Sequence, residues 1–310
     1  MRINRSLATL TGVVLMLLSG STPVHATVPG PNGLIAFSAG GGGGHQIFTI
    51  DPLSLVQVQL THLAGDAIAP HWSPDNRLIA FELDTPSTCA NVAYMNANGT
   101  GMVVLPLANG DICEARPSFS PDGQRIFYEG FTGVRDSIWS MTLTGTDRER
   151  ITLCEGRGVT GAEVSPDGEM LAFTCFQRTG SALFVSLVDG SHLRQLTPFS
   201  FGVGVKEDWS PDSGHIMFIS VQNEGAPNAQ VNTATIRPDG TGLFSVTNYP
   251  AGGLLAFGNS YSPDGRWIVM RIEDHGVYSL YKIHPDGTGL LQITPFSTFR
   301  PRGMAWGSAT

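Results

Sequence analysis

Several features are scarce in this sequence, and each scarcity excludes something. Beyond residue 26 no apolar run approaches the roughly 20 residues that a membrane-spanning helix needs. Apolar stripes at the 3.6-residue spacing of amphipathic helices are missing too, which argues against a helical-repeat protein. No Gly-x-Ser-x-Gly elbow occurs, so the chain does not read as a serine peptidase of the α/β-hydrolase type. The glycine run Gly40 to Gly44 is not followed by Lys-Ser/Thr and precedes no helix; it reads as a surface loop, not a phosphate cradle. His45, His62, His192, His275 and His284 are scattered without ligand spacing. Positive charge is also short, with 18 basic residues against 26 acidic and a formal charge of −8, which disfavours nucleic acid or an anionic membrane as partner.

The first 26 residues have their own pattern. Arg2 and Arg5 precede an apolar stretch from Leu7 to Leu18, and Val24-His25-Ala26 is a small-residue cleavage pattern. The segment reads as a secretory signal peptide, with the mature chain beginning at Thr27 and released into the periplasm or medium. No cysteine stands at the cleavage point, so a lipoprotein is not expected.

What is abundant is repetition. Trp72-Ser73-Pro74-Asp75-Asn76 returns as Phe119-Ser120-Pro121-Asp122-Gly123, Val164-Ser165-Pro166-Asp167-Gly168, Trp209-Ser210-Pro211-Asp212-Ser213 and Tyr261-Ser262-Pro263-Asp264-Gly265. The aspartates lie 47, 45, 45 and 52 residues apart, the length of one four-stranded propeller blade. A β-rich run follows each signature, such as Leu78-Ile79-Ala80-Phe81 or Met170-Leu171-Ala172-Phe173. A third run then leads to a turn dipeptide such as Asn98-Gly99, Asp189-Gly190 or Asp286-Gly287, where glycine supplies the positive φ of a tight hairpin. A fourth run ends near Gln195-Leu196-Thr197, Ser245-Val246-Thr247 or Gln292-Ile293-Thr294.

The ends complete the count. Gly33 to Phe37 matches the second strand of a repeat whose first strand is missing there, and Arg302 to Gly307 matches a first strand and then stops. One blade is therefore assembled from both termini. The fold class predicted for residues 27–310 is all-β, a six-bladed β-propeller closed by pairing of its N- and C-terminal strands, which leaves no free sheet edge.

Asp75, Asp122, Asp167, Asp212 and Asp264 read as turn residues, with the preceding proline fixing φ and the carboxylate accepting backbone amides. The bulky residue before each serine, and Trp306 in the closing strand, reads as packing between sheets. An even number of cysteines in an exported chain points to disulfides. In a four-stranded meander the links between blades and the links between second and third strands emerge at one end. That favours Cys89 with Cys113 and Cys154 with Cys175, each closing a loop worth about 3 kcal/mol. The alternatives are the other pairing, or four buried thiols.

The Ser-Pro-Asp-Gly signature, the Ile-Ala-Phe strand, the Asp-Gly turn and the Leu-Thr strand end together resemble the WD-like repeat of the TolB family, over Gly33 to Gly307. TolB is a periplasmic protein of the Tol–Pal envelope system that binds the peptidoglycan-associated lipoprotein through its propeller, and it carries an α/β domain ahead of the propeller. Here Thr27 to Asn32 alone precede the first expected strand. The resemblance implies a stand-alone, non-catalytic module, expected as a monomer without cofactor, that binds an envelope or secreted protein. The expected binding face carries the longest loops: Ala39 to His45, Asp84 to Asn91, Pro198 to Val205 and Gln222 to Gln230.

A second resemblance implies an alternative. Six-bladed lactonases hold a cation in the central channel with one polar residue per blade. The corresponding position here reads His71, Ser118, Glu163, Asp208, Ser260 and Ala305, near Arg116, Lys206 and Glu207. Oxygen ligands suit Ca²⁺, so Glu163 and Asp208 are candidate metal ligands and His71 a candidate base.

Overall fold

Alternating apolar residues become sheet in all six repeats. The computed structural model describes residues 29–309 apart from 42–43, 86–87, 108–112, 132–135, 153, 155–157 and 224–225, so the signal peptide and its cleavage site at Ala26 lie outside the described residues. Six four-stranded antiparallel sheets follow one another. Their innermost strands are Arg302–Ser308 in blade one, then Asp66–Trp72, Cys113–Phe119, Gly158–Val164, Val203–Trp209 and Leu255–Tyr261 in blades two to six. The outermost strands shrink to two residues in four blades, among them Arg194–Gln195 and Leu291–Gln292. Short outer strands limit the exposed edge of each blade.

Blade one is shared between the termini. Arg302–Ser308 pairs with Asn32–Gly41 through Asn32 with Ser308, Ile35 with Trp306, Ala36 with Ala305 and Ser38 with Arg302. Six apolar clusters then fill the six junctions between neighbouring sheets. Trp72, Phe119, Val164, Trp209, Tyr261 and Trp306 each enter a different one. Burying one large side chain per junction removes most of its apolar surface from water, about 25 cal/mol per Å². Two indoles also bind the backbone of the preceding blade: Trp72 Nε1 donates to the Ala305 carbonyl (3.2 Å) and Trp209 Nε1 to that of Glu163 (2.9 Å).

The signature closes a small hydrogen-bond circuit in every repeat. Ser73, Ser120, Ser165, Ser210 and Ser262 donate Oγ–H to Asp75, Asp122, Asp167, Asp212 and Asp264 respectively, at 2.5 to 2.7 Å. The same oxygen accepts the amide five residues on, for example Met170 N at 2.9 Å from Ser165. Each aspartate accepts the amide two residues on, as Asp167 does from Glu169 at 3.0 Å. The serine thus ties the turn to the start of the second strand, where buried amides need partners.

Both disulfides are present, Cys89 with Cys113 and Cys154 with Cys175. Strands run further than their apolar cores suggest. Cys89 lies inside the third strand of blade two, Thr88–Asn96, and Cys113 opens the innermost strand of blade three. That bond therefore ties two adjacent blades together.

Candidate functional site

The innermost strands are not regular. Pairing with the second strand breaks between Ile68 and His71, Ala115 and Ser118, Thr160 and Glu163, Val203 and Glu207, and Gly258 and Ser260. These are β-bulges, which re-aim the side chains beyond them. The backbone enters the left-handed region at Ala69 (φ 52°) and Arg116 (φ 47°), two non-glycine residues for which this conformation is strained. Sequence reasoning missed the bulges. Their one visible sign is a glycine two residues before Glu163, Ser260 and Ala305, namely Gly161, Gly258 and Gly303.

Below the bulges the channel narrows to a throat of about 20 Å³ lined by His71, Lys206, Asp208 and Ser260. Here the ring position staples blade to blade. Asp208 Oδ2 accepts Tyr261 N (2.7 Å), Ser260 Oγ accepts Trp306 N (3.1 Å), and His71 Nδ1 accepts Phe119 N (3.3 Å). Ser118 donates Oγ–H to the Ala162 carbonyl. Neighbouring innermost strands form no ladder with one another, so side chains satisfy the amides that sheet pairing would otherwise use.

Of the three candidate metal or base residues, His71 and Glu163 come together and Asp208 has its own partners. His71 Nδ1 accepts Phe119 N, and its Nε2 stands 3.1 Å from Glu163 Oε2. Glu163 also holds Lys206 Nζ at 2.5 Å. Burial by itself raises the Glu163 carboxyl, but Lys206 and His71 outweigh it and hold the group below the usual carboxylate range. Asp208 Oδ1 takes its own-neighbour amide, Trp209 N at 3.0 Å, and burial moves its carboxyl up. A Ca²⁺ ion at this ring would have to displace Lys206 from Glu163 and release Asp208 from two backbone amides. Among the described residues no group of three or more His, Cys, Asp or Glu side chains is arranged to hold a metal.

Above the bulges the channel widens into a mouth of about 430 Å³, within the range of small-ligand pockets. Its wall is made by the first half of the innermost strands, at Ile68, Arg116 and Arg302, ahead of the throat residues His71, Asp208 and Ser260, and by the middle of second strands, at Glu82, Ile219 and Arg271. The mouth therefore opens on the face of the inter-blade links and second-to-third-strand loops. Arg116 donates to Glu129 and, at 3.0 Å, to Thr160 Oγ1, while its backbone amide reaches Glu82 Oε2 at 3.2 Å. Burial pushes the Glu82 carboxyl up to about 7.

The profile of the TolB beta propeller domain matches residues 87–298. The chain belongs to that family. An uncharacterized Agrobacterium fabrum protein, Atu1656, is 26% identical over 196 residues, 49% of this chain and 65% of that protein. The Tol-Pal system protein TolB of Anaeromyxobacter dehalogenans is 33% identical over 81 residues, 26% of this chain. The chain spans under two thirds of the length of these curated relatives, and only 18% of the Anaeromyxobacter TolB. The crystal structure of TolB from Acinetobacter baumannii superposes with a TM-score of 0.74 at 18% identity, over 89% of this chain and 67% of that one, which shows a shared fold. No helix among the described residues is long and apolar enough to cross a membrane.

One charge of this TolB-type propeller faces neither throat nor mouth. Glu207 is fully buried between blades four and five, with Oε1 accepting from Thr174 and no hydrogen-bond partner at Oε2. A Cβ at Gly161 would come within 2.1 Å of Oε2, so any larger residue there would force the buried Glu207 side chain to move. Burial pushes the Glu207 pKa up to about 8 from 4.5. Between those values the folded state keeps a proton that the unfolded chain has released, so the Glu207 contribution to stability falls as pH rises and levels off above about 8. Glu207→Gln is expected to flatten the decline in Tm from mildly acidic to mildly alkaline buffer and to melt higher than wild type on the alkaline side. Parallel pH profiles for the two proteins would refute this.

Proposed function

We propose that this chain is an exported, non-catalytic propeller that binds a protein partner in the periplasm or cell envelope. Binding uses the face of the inter-blade links and second-to-third-strand loops. One observation carries the reading: the ring side chains that a channel enzyme would use are committed to stapling blades, whereas the mouth on the loop face is open and wide. Family membership supports it, because the matched relatives include a Tol-Pal system TolB. Two disulfides fit an oxidising compartment, and the expected signal peptide fits export. Loops on a rigid frame are where recognition is usually built. Among the four loops of this face, Pro198 to Val205 is described throughout, with a short 3-10 turn at Phe199–Phe201.

The test is an affinity pull-down from an envelope fraction, repeated with the four loops exchanged for those of an unrelated propeller. Recovery of one protein by the wild type, lost on loop exchange, is the expected result; a partner that still binds refutes the face. The calcium lactonase is the competing reading. Stoichiometric Ca²⁺ in the purified protein, with lactone hydrolysis that disappears in Glu163→Gln and Asp208→Asn, would replace the binding module with the enzyme.

A further inference from the structure

The two sides of the channel mouth differ in charge balance. On one side each cation has a carboxylate at contact distance: Arg116 has Glu129, and Lys206 has Glu163. On the blade-six side three guanidiniums, Arg271, Arg300 and Arg302, line the same cavity. Arg271 and Arg300 share one carboxylate, Glu273, whose Oε2 stands 3.6 Å from Arg271 Nη2 and 3.7 Å from Arg300 Nη2, beyond hydrogen-bond reach of both. Asp66, the acid that acts on Arg302, is already engaged by His45.

Arg271 is only 6% exposed, yet among the described residues its one hydrogen bond is Nη1 to the Pro301 carbonyl (3.1 Å), and its Nε has none. Arg300 Nε is likewise buried without a partner. Aromatic faces hold the group in place of anions. Arg271 lies 3.8 Å over the Phe257 ring, and the Tyr278 ring has Arg271 at 5.7 Å and Arg300 at 5.4 Å. Burial lowers the Arg271 and Arg302 pKa values, and proximity to Arg300 lowers both further. At neutral pH all three remain charged, so mutual repulsion persists in a partly dry site where it is weakly screened.

A buried guanidinium, Arg271, flanked by half-buried Arg300 and exposed Arg302 beside an open cavity, is an unmet demand for a planar anion. Guanidinium forks match carboxylates with two parallel hydrogen bonds. The apolar and aromatic wall formed by Phe257 and Ile219 suits a ligand with a carbon skeleton rather than a bare inorganic ion. We propose that the Arg271, Arg300 and Arg302 side of the channel mouth is a binding site for an organic polycarboxylate. The ligand is either a free small molecule or a run of acidic side chains on a peptide. The site stands whether or not the surrounding loops dock a protein partner.

Citrate, a tetraglutamate peptide, inorganic phosphate and uncharged triethyl citrate serve as probes, by titration calorimetry at low salt with the intact mature protein. Expected is saturable binding of citrate or tetraglutamate, weakened at least about tenfold in Arg300→Gln/Arg302→Gln, the loss that one charged contact supports. Triethyl citrate should not bind. Citrate alone binding marks a small-molecule site, and tetraglutamate alone marks an acidic peptide. Arg302 is exposed and Arg300 only half-buried, so the variant should fold; a citrate-induced rise in the Tm of the wild type gives a second readout that needs no variant. No saturable binding of either carboxylate, phosphate binding as tightly as citrate, or unchanged affinity in the double variant would each overturn the proposal.

Discussion

A protein shortened by residues 302–310 is expected to lose its cooperative melting transition and to aggregate at temperatures where the full chain is a folded ring. The deletion removes the innermost strand of blade one, and with it the pairing of Ile35 with Trp306 and Ala36 with Ala305. It also empties the junction between blades six and one, where Met304 and Trp306 pack on Ile35, Phe37, Val269 and Leu280. Five hydrogen bonds into neighbouring blades go as well: Met304 N to Asn259 Oδ1 (3.2 Å), Trp306 N to Ser260 Oγ (3.1 Å), Trp72 Nε1 to the Ala305 carbonyl (3.2 Å), Ser308 N to Asn76 Oδ1 (3.0 Å) and Asn76 Nδ2 to Ser308 Oγ. What remains is a three-stranded blade with a free inner edge facing a wet channel, the arrangement that invites pairing with another chain. Trp306→Ala, which keeps the strand and loses the side chain, should cost about 3–5 kcal/mol and leave a ring. Thermal melts and size-exclusion chromatography decide it. A truncated protein that stays monomeric with an unchanged Tm would refute closure by the termini.

Arg148→Met is expected to destabilise the protein by about 3–5 kcal/mol, because it removes the guanidinium bonded to a buried carboxylate. Glu114 is fully buried in the innermost strand of blade three, and Arg148 Nη1 bonds its Oε1. The same nitrogen donates to Tyr128 Oη (2.6 Å), and Nη2 reaches the Pro106 carbonyl (2.5 Å) in the link from blade two. Burial and the Glu114 charge together push the Tyr128 phenol up to about 12, so it stays a neutral donor or acceptor across the physiological range. Removing the guanidinium takes bonds at once from fully buried Glu114 and Tyr128, and one from the exposed Pro106 carbonyl. Adding Glu114→Gln to Arg148→Met should restore a large part of the loss, since the carboxylate that the guanidinium balanced is then neutral. Urea unfolding of both variants is the measurement. A single variant within about 1 kcal/mol of wild type, or a double variant as unstable as the sum of the two singles, would overturn the account.

The sequence determined the architecture of this protein because propeller signals are local and repeated. The Ser-Pro-Asp spacing, the short β runs and the Asn-Gly and Asp-Gly turns are each set within a few residues by backbone sterics and hydrogen bonding. Five copies leave little freedom in reading them. Closure followed from a first strand missing at one end and present at the other. The two disulfides were legible because a meander puts every second link at the same end. Tertiary structure alone decided the chemistry of the channel. Which polar side chain meets which depends on bulges in the six innermost strands, whose sign in sequence is a lone glycine at 161, 258 or 303 and nothing at all at Ala69 and Arg116. His71 and Glu163 are 92 residues apart, and Asp208 and Tyr261 are 53 apart. Read along the chain, His71, Glu163 and Asp208 look like potential ligands; folded, they spend their donors and acceptors on each other, on Lys206 and on backbone amides. The same distance in sequence hid the three arginines of the channel mouth, because a charge surplus depends on which carboxylates stand nearby, and only the closed ring decides that.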